Sequence, residues 1–168
     1  MKETVQQYMQ RILGHVAGQE PLKVLAATPK KLDRLVARAS AAKLRKRPAP
    51  DKWSVIEILA HLADVEITVG WRVRSILGAP GTAVQAYDQD AWAKAGHYAQ
   101  RNPRECLAQI RAVRTANLAL YKSLSPEQWK HYGMHAERGQ ETVEQIVRLV
   151  AGHDLNHLQQ IEGILASK

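Results

Sequence analysis

Helix-capping signals constrain this chain more than any other feature, because they recur at nearly every point where a helix can begin. "SVIE" sets Ser54 against Glu57, a capping box that satisfies two orphan backbone donors at a helix start. "TVEQ" repeats the device with Thr142 and Gln145. "NPRE" puts Asn102 ahead of Pro103, with Glu105 completing a close relative of the box. "SPEQ" at 125–128 opens a short helix by the same logic, and "TPKKL" offers Thr28 as N-cap with Pro29 at the first helical position. The stops are equally clear. "GAPG" at 78–81 ends the helix begun at Ser54, and "RPAP" at 47–50 bars any helix from joining the first region to the second. No segment shows period-two alternation between hairpin turns, so no strand is expected.

The resulting map has four principal helices. The first region covers roughly 4–44 and is broken near 18–21 and again near 28, leaving an extra N-terminal helical segment ahead of the bundle. The others span roughly 54–77, 103–122 and 142–166, with an irregular stretch over 78–101. Phe is absent and aromatics are only 5%, so the core must come from Leu, Ile, Val and Ala, which favours helix packing. With no repeat, low-complexity segment or domain boundary, residues 1–168 read as one all-α domain, in which each amphipathic helix buries one stripe.

The formal charge is +8, and much of it lies in 30–52. Such a run suits a nucleic-acid or anionic-ligand patch, or a solvated helix face leading into a basic loop. No nucleic-acid-binding motif accompanies it, so the second reading is taken and no nucleic-acid partner is expected. The N-terminal segment is too polar for a secretory signal, and no apolar run approaches a membrane span. Cys106 is the single cysteine, so no internal disulfide can form. A cytoplasmic protein without membrane contact is expected. Cys106 sits in the first turns of a helix, where the dipole lowers a thiol pKa somewhat, but no histidine is near it in sequence. Any thiol chemistry is therefore expected to use a diffusible thiol.

The chemistry-bearing feature is "GHDLNHLQQIE", residues 152–162. His153 and His157 fall within the apolar arc of Val143, Ile146, Val150, Ile161 and Ile164. One helical turn apart, they share a face, which is the spacing at which one helix offers two ligands to one metal ion. They could instead bond each other or a backbone carbonyl. His61, in "KWSVIEILAHLADVE", lies at the edge of the stripe formed by Val55, Leu59, Leu62, Val69 and Val73. Periodicity alone leaves it open as a third ligand. His131 and His135 are also four apart, but Gly133 and Gly139 point to a loop, where that spacing does not place two side chains on one face. His135 remains a candidate for the pocket rim, and His15 and His97 read as packing or surface residues. "HDLNH" has aspartate where a zinc-protease H-E-x-x-H has glutamate, which retracts the base by one methylene, so that reading is set aside.

"RPAPDKWSVIEILAHLADVE" followed by "GHDLNHLQQIEGIL" resembles the DinB-like superfamily, the DinB/YfiT group of metal-dependent enzymes. "LAATPKKLDRLV", "YDQDAWA" and "GMHAERGQETVEQIV" fit the same pattern, so the resemblance covers nearly the whole chain. It implies a four-helix bundle with one long crossover, often a homodimer. It also implies one divalent ion, commonly nickel or zinc, held by three histidines that fall here on His61, His153 and His157. Some members of the group use low-molecular-weight thiols as transferases or isomerases.

Three neutral imidazoles leave coordination positions open to water or substrate, the layout of a catalytic site and not of a closed structural one. The expected function is a metal-dependent enzyme acting on a small molecule. The main reading is S-transfer with an activated thiol; the alternatives are a hydrolase using bound hydroxide and a non-catalytic metal or ligand-binding protein. Ligating imidazoles donate their second N–H to an acceptor, for which Asp64, Asp154 and Gln160 are the candidates. Asp64 also reads as an exposed helix carboxylate and Gln160 as an interhelix hydrogen bond. Trp53 and Trp92 are candidates for the pocket wall, or simple packing residues. An anionic ligand, thiol or carboxylate, is expected, with the basic loop at 45–52 adding a positive field.

Overall fold

The computed structural model describes residues 3–167. Its order is α1 (Val5–His15), α2 (Pro21–Ala37), α3 (Ala41–Arg45), α4 (Val55–Gly78), β1 (Ala83–Val84) and α5 (Gln89–Ala95). A 3₁₀ turn (Tyr98–Gln100), α6 (Pro103–Ser123), α7 (Pro126–Lys130), β2 (Tyr132–His135), β3 (Gly139–Thr142) and α8 (Val143–Ala166) follow. The capping boxes at Ser54/Glu57, Ser125/Gln128 and Thr142/Gln145 form reciprocally, and Asn102 caps α6. The bundle is a ring. α2 packs on α6 and α8, α4 packs on the same two, and α1 lies against α8. Thus α2 and α4 occupy opposite corners, and the connection through α3 crosses between them. No helix among the described residues is long and apolar enough to cross a membrane.

α1 and α8 approach backbone to backbone at Gly152, where a Cβ would fall 2.1 Å from the Ile12 carbonyl oxygen. That contact fixes the turn of α8 just before His153.

One expected boundary is corrected. Thr28 is not an N-cap, and α2 runs through Pro29 without a break. Proline has no N–H, so the carbonyl four residues back, Leu25, loses its helix donor. Arg114 of α6 supplies the replacement, donating to the Leu25 oxygen at 2.7 Å. The Thr28 hydroxyl, buried, donates to Val24 within the helix. A long-range side chain thus keeps the helix intact, and local sequence does not report it.

The second correction is a small sheet. β1 pairs with β2 in parallel, and β2 pairs with β3 antiparallel, with His135 opposite Gly139. Gly139 turns the hairpin at φ +75°. Strands of two to four residues are too short for alternation to register.

Two apolar clusters divide the core. One gathers Leu32, Ile58, Leu59, Ile110 and Ile161; the other gathers Leu25, Val69, Val73, Tyr121 and Ile146. Around the level where the clusters meet on the four helices sit buried polar residues: Thr28, His61, Glu66, Arg114, His153, Asp154 and His157.

Candidate metal centre

α4 and α8 run antiparallel through that polar layer and bring three imidazoles together. His61 Nε2 lies 3.0 Å from His153 Nε2, and His157 Nε2 lies 3.1 Å from the same atom. One ligand atom from each lies within 4.8 Å of the others, and all three residues are buried. A tetrahedral ion with metal–nitrogen distances of about 2.0–2.1 Å would separate neighbouring nitrogens by about 3.3 Å. The cluster is close to that spacing.

Hydrogen bonding among the rings does not satisfy it. A neutral imidazole nitrogen is either one donor or one acceptor. His153 Nε2 faces two other Nε2 atoms, so it has one proton or one lone pair for two partners. On His157 the position is more definite: Gln160 Oε1 lies 2.9 Å from Nδ1. With the amide oxygen accepting, Nδ1 carries the proton and Nε2 presents its lone pair to the cluster. His153 Nδ1 is buried without a partner among the described residues.

Burial also keeps the rings neutral. It lowers the His61 pKa to about 3, with His157 adding to the effect. It lowers His157 to about 4, opposed by Gln160 and Asp154. It holds His153 well below the ordinary value, with His157, His61 and Arg114 contributing. Neutral nitrogens are what a divalent ion needs, and no proton competes for them at pH 7.

The other expected site residues divide. Gln160 sits on His157 as described. Asp64 is engaged elsewhere: Tyr98 donates to its Oδ2 at 2.6 Å, and Arg101 stands 3.9 Å from Oδ1. Asp154 accepts from Arg114 at 2.8 Å, not from an imidazole. Trp53 packs on His61, with ring centroids 4.9 Å apart. Trp92 does not reach the histidines; it packs on Tyr87 at 4.4 Å. His135 is buried at the end of β2 and lines the cavity that exposes His61 and His153, whereas His131 does not line it. The Cys106 thiol is fully buried and burial raises its pKa, so the helix dipole does not decide its state.

That cavity has a volume of about 220 Å³. A larger open groove of about 580 Å³, lined by Ile67, Trp71 and Trp92, presents none of the histidines and is not the chemical centre. The 45–52 loop lines neither: Arg47 pairs with buried Glu57 and donates to the Pro50 carbonyl. Sequence reasoning missed the cavity's own cations, Arg72 and Arg138. It also missed Arg114 and Glu66, although both interrupt apolar helical stripes just as the histidines do.

The chain is similar to known proteins in sequence and in fold. The YfiT protein of Bacillus subtilis, which bears the name "Putative metal-dependent hydrolase YfiT", is 25% identical over 141 residues, covering 83% of this chain and 79% of YfiT. A Halalkalibacterium halodurans protein, BH0277, named in the same way, is 23% identical over 144 residues, covering 86% of this chain and 84% of its own. The solved YfiT structure, whose four-helix bundle topology is described as unusual, superposes with a TM-score of 0.81 at 22% identity, over 97% of this chain and 88% of that one. A mycothiol-dependent maleylpyruvate isomerase shares the fold at a TM-score of 0.64 and 11% identity, over 88% of this chain; the match spans 60% of the isomerase. The model of the DinB superfamily matches residues 25–161, and the chain belongs to that superfamily.

Proposed function

We propose that this protein is a metal-dependent hydrolase in which His61, His153 and His157 hold one divalent ion through their Nε2 atoms. The observation that carries the reading is the convergence of three buried, neutral Nε2 atoms at 3.0 and 3.1 Å edges, which the rings cannot satisfy among themselves. The names of the relatives in Bacillus subtilis and Halalkalibacterium halodurans support the same class. A divalent ion at such a site acts as a Lewis acid and brings the pKa of a bound water toward neutrality. The chain's own part is to keep the imidazoles deprotonated by burial, to fix the His157 tautomer through Gln160, and to admit a small molecule through the cavity beside His61 and His153.

A second reading keeps the ligands and substitutes a diffusible thiol for water. The thiol dependence of the isomerase that shares this fold favours it, and a divalent ion with open positions would also take a thiolate. Nickel and zinc both suit the donor set. The same proposal includes a homodimer, supported by the exposed Ile67 and Trp71 on α4; sedimentation equilibrium showing only the 18.8 kDa species at micromolar concentration would remove that part.

The test is a panel of small esters and amides, assayed after chelation and after reloading with one equivalent of zinc or nickel, with and without added thiol. Hydrolysis that disappears on chelation, returns on reloading and needs no thiol is the expected result. Turnover only with thiol selects the second reading. Turnover indifferent to chelation overturns both.

A further inference from the structure

Arg72 of α4 lines the same cavity as His61 and His153. It is half-buried, and its contacts are the Gln85 carbonyl at 2.5 Å and the face of the Tyr87 ring at 5.5 Å. No carboxylate among the described residues pairs with it. Its neighbours are treated differently. Arg138, on the same cavity, is held by both oxygens of buried Glu141 at 2.6 and 2.8 Å. Arg114 has Glu66 and Asp154. Glu137 and Glu141 act on Arg72 only at longer range, so this half-buried guanidinium departs from the rule that sheltered charges are directly paired.

The rest of the wall is also rich in donors. His135 Nδ1 accepts the backbone N–H groups of Glu137 and Arg138 at 3.1 and 3.3 Å. The proton of the neutral ring therefore sits on Nε2, which is left as a donor. Tyr8 and Tyr87 line the cavity as well, and burial raises both, so each hydroxyl keeps its proton. Glu137 is the single acid on the lining, and it is exposed.

We propose that Arg72, with His135 as a second donor, forms a subsite for the oxyanion of a small substrate whose reacting group reaches the three-histidine centre. The substrate class is a small organic acid, its anion a carboxylate or a phosphate. The volume of about 220 Å³ lies below the roughly 300–1,000 Å³ of pockets for drug-sized ligands, which keeps the occupant small. The placement of the anion rests on the metal-centre reading; the presence of an anion subsite at Arg72 does not.

The experiment therefore has two arms. In the first, metal-free protein is titrated with acetate and with inorganic phosphate while the Arg side-chain ¹⁵Nε signals are followed by NMR. Saturable shifts are expected for wild type, with binding weakened about tenfold or more in Arg72→Gln and partly recovered in Arg72→Lys, because a charge-assisted hydrogen bond is lost and then restored in part. The better of the two probes identifies the oxyanion. In the second arm, cobalt-loaded protein is titrated with mercaptoacetate and with uncharged 2-mercaptoethanol, read by the visible spectrum. Mercaptoacetate should bind about tenfold more tightly, and Arg72→Gln should abolish that preference while leaving the 2-mercaptoethanol affinity unchanged. A cobalt spectrum that never forms removes the metal-centre reading and leaves the first arm to decide the subsite. Wild type without anion binding in the first arm, or Arg72→Gln equal to wild type with its helix signal intact, overturns the subsite.

Discussion

Arg114 makes four hydrogen bonds to its own chain, while the three histidines at the same level of the bundle turn their ring nitrogens on one another. The guanidinium reaches Glu66 on α4 with two bonds, Asp154 on α8 with one and the Leu25 carbonyl on α2 with one. It joins all four principal helices and repairs the gap left by Pro29. Burial opposes its charge, but Asp154 and Glu66 outweigh burial and hold it protonated. The histidines draw on the same two helices, α4 and α8, yet their three Nε2 atoms cannot all be paired among themselves. The contrast teaches how to read a buried polar group. One satisfied within the chain belongs to the architecture; one that converges without full complement calls for a partner, which the proposed ion would supply.

The largest effect should come from breaking the satisfied side. Arg114→Leu leaves Glu66 and Asp154 buried without a cation and should cost about 3–5 kcal/mol in urea unfolding. A loss well under 1 kcal/mol would erase the contrast. Next comes pH. The folded pKa values of His61 and His157, about 3 and about 4, lie below the ordinary 6.5. The unfolded chain therefore binds more protons between those limits. Metal-free protein should have full stability above about pH 6.5 and lose it progressively as pH falls toward 4. Replacing the three histidines with glutamine should flatten that slope. Metal ranks third: a free ion at 100 times its Kd should add about 2.7 kcal/mol. Chelation should remove that increment and leave the far-ultraviolet helix signal, because the apolar clusters do not involve the ion. Gln160→Leu is the mildest break. It frees the His157 tautomer and should weaken metal about tenfold, with little change in metal-free stability.

The bundle was legible because its signals are local. A capping box lies within four residues, and the apolar stripes of α4 and α8 repeat every turn. His153 and His157 were legible for the same reason, since one helix sets their spacing. What failed depended on distant partners. Pro29 reads as a helix start until Arg114, 85 positions on, is seen to take the Leu25 carbonyl (the pair is 89 apart). Asp154 reads as a partner for histidine until the same arginine claims it. Asp64 was lost to Tyr98, which the 3₁₀ turn brings in from the irregular stretch. The hairpin that carries His135 and Arg138 has strands of only four residues, so the cavity's donor wall left no periodic trace.

The central claim, that the convergent histidines are arranged for one ion, is tested most directly by titrating cobalt into metal-free protein purified without a nickel column. The expected result is a visible absorption that rises to a sharp break at one equivalent per chain in wild type, and no such break in His61→Ala, His153→Ala or His157→Ala variants that keep their helix signal. A break at one equivalent that survives in His157→Ala, or wild type that binds no cobalt, would contradict it.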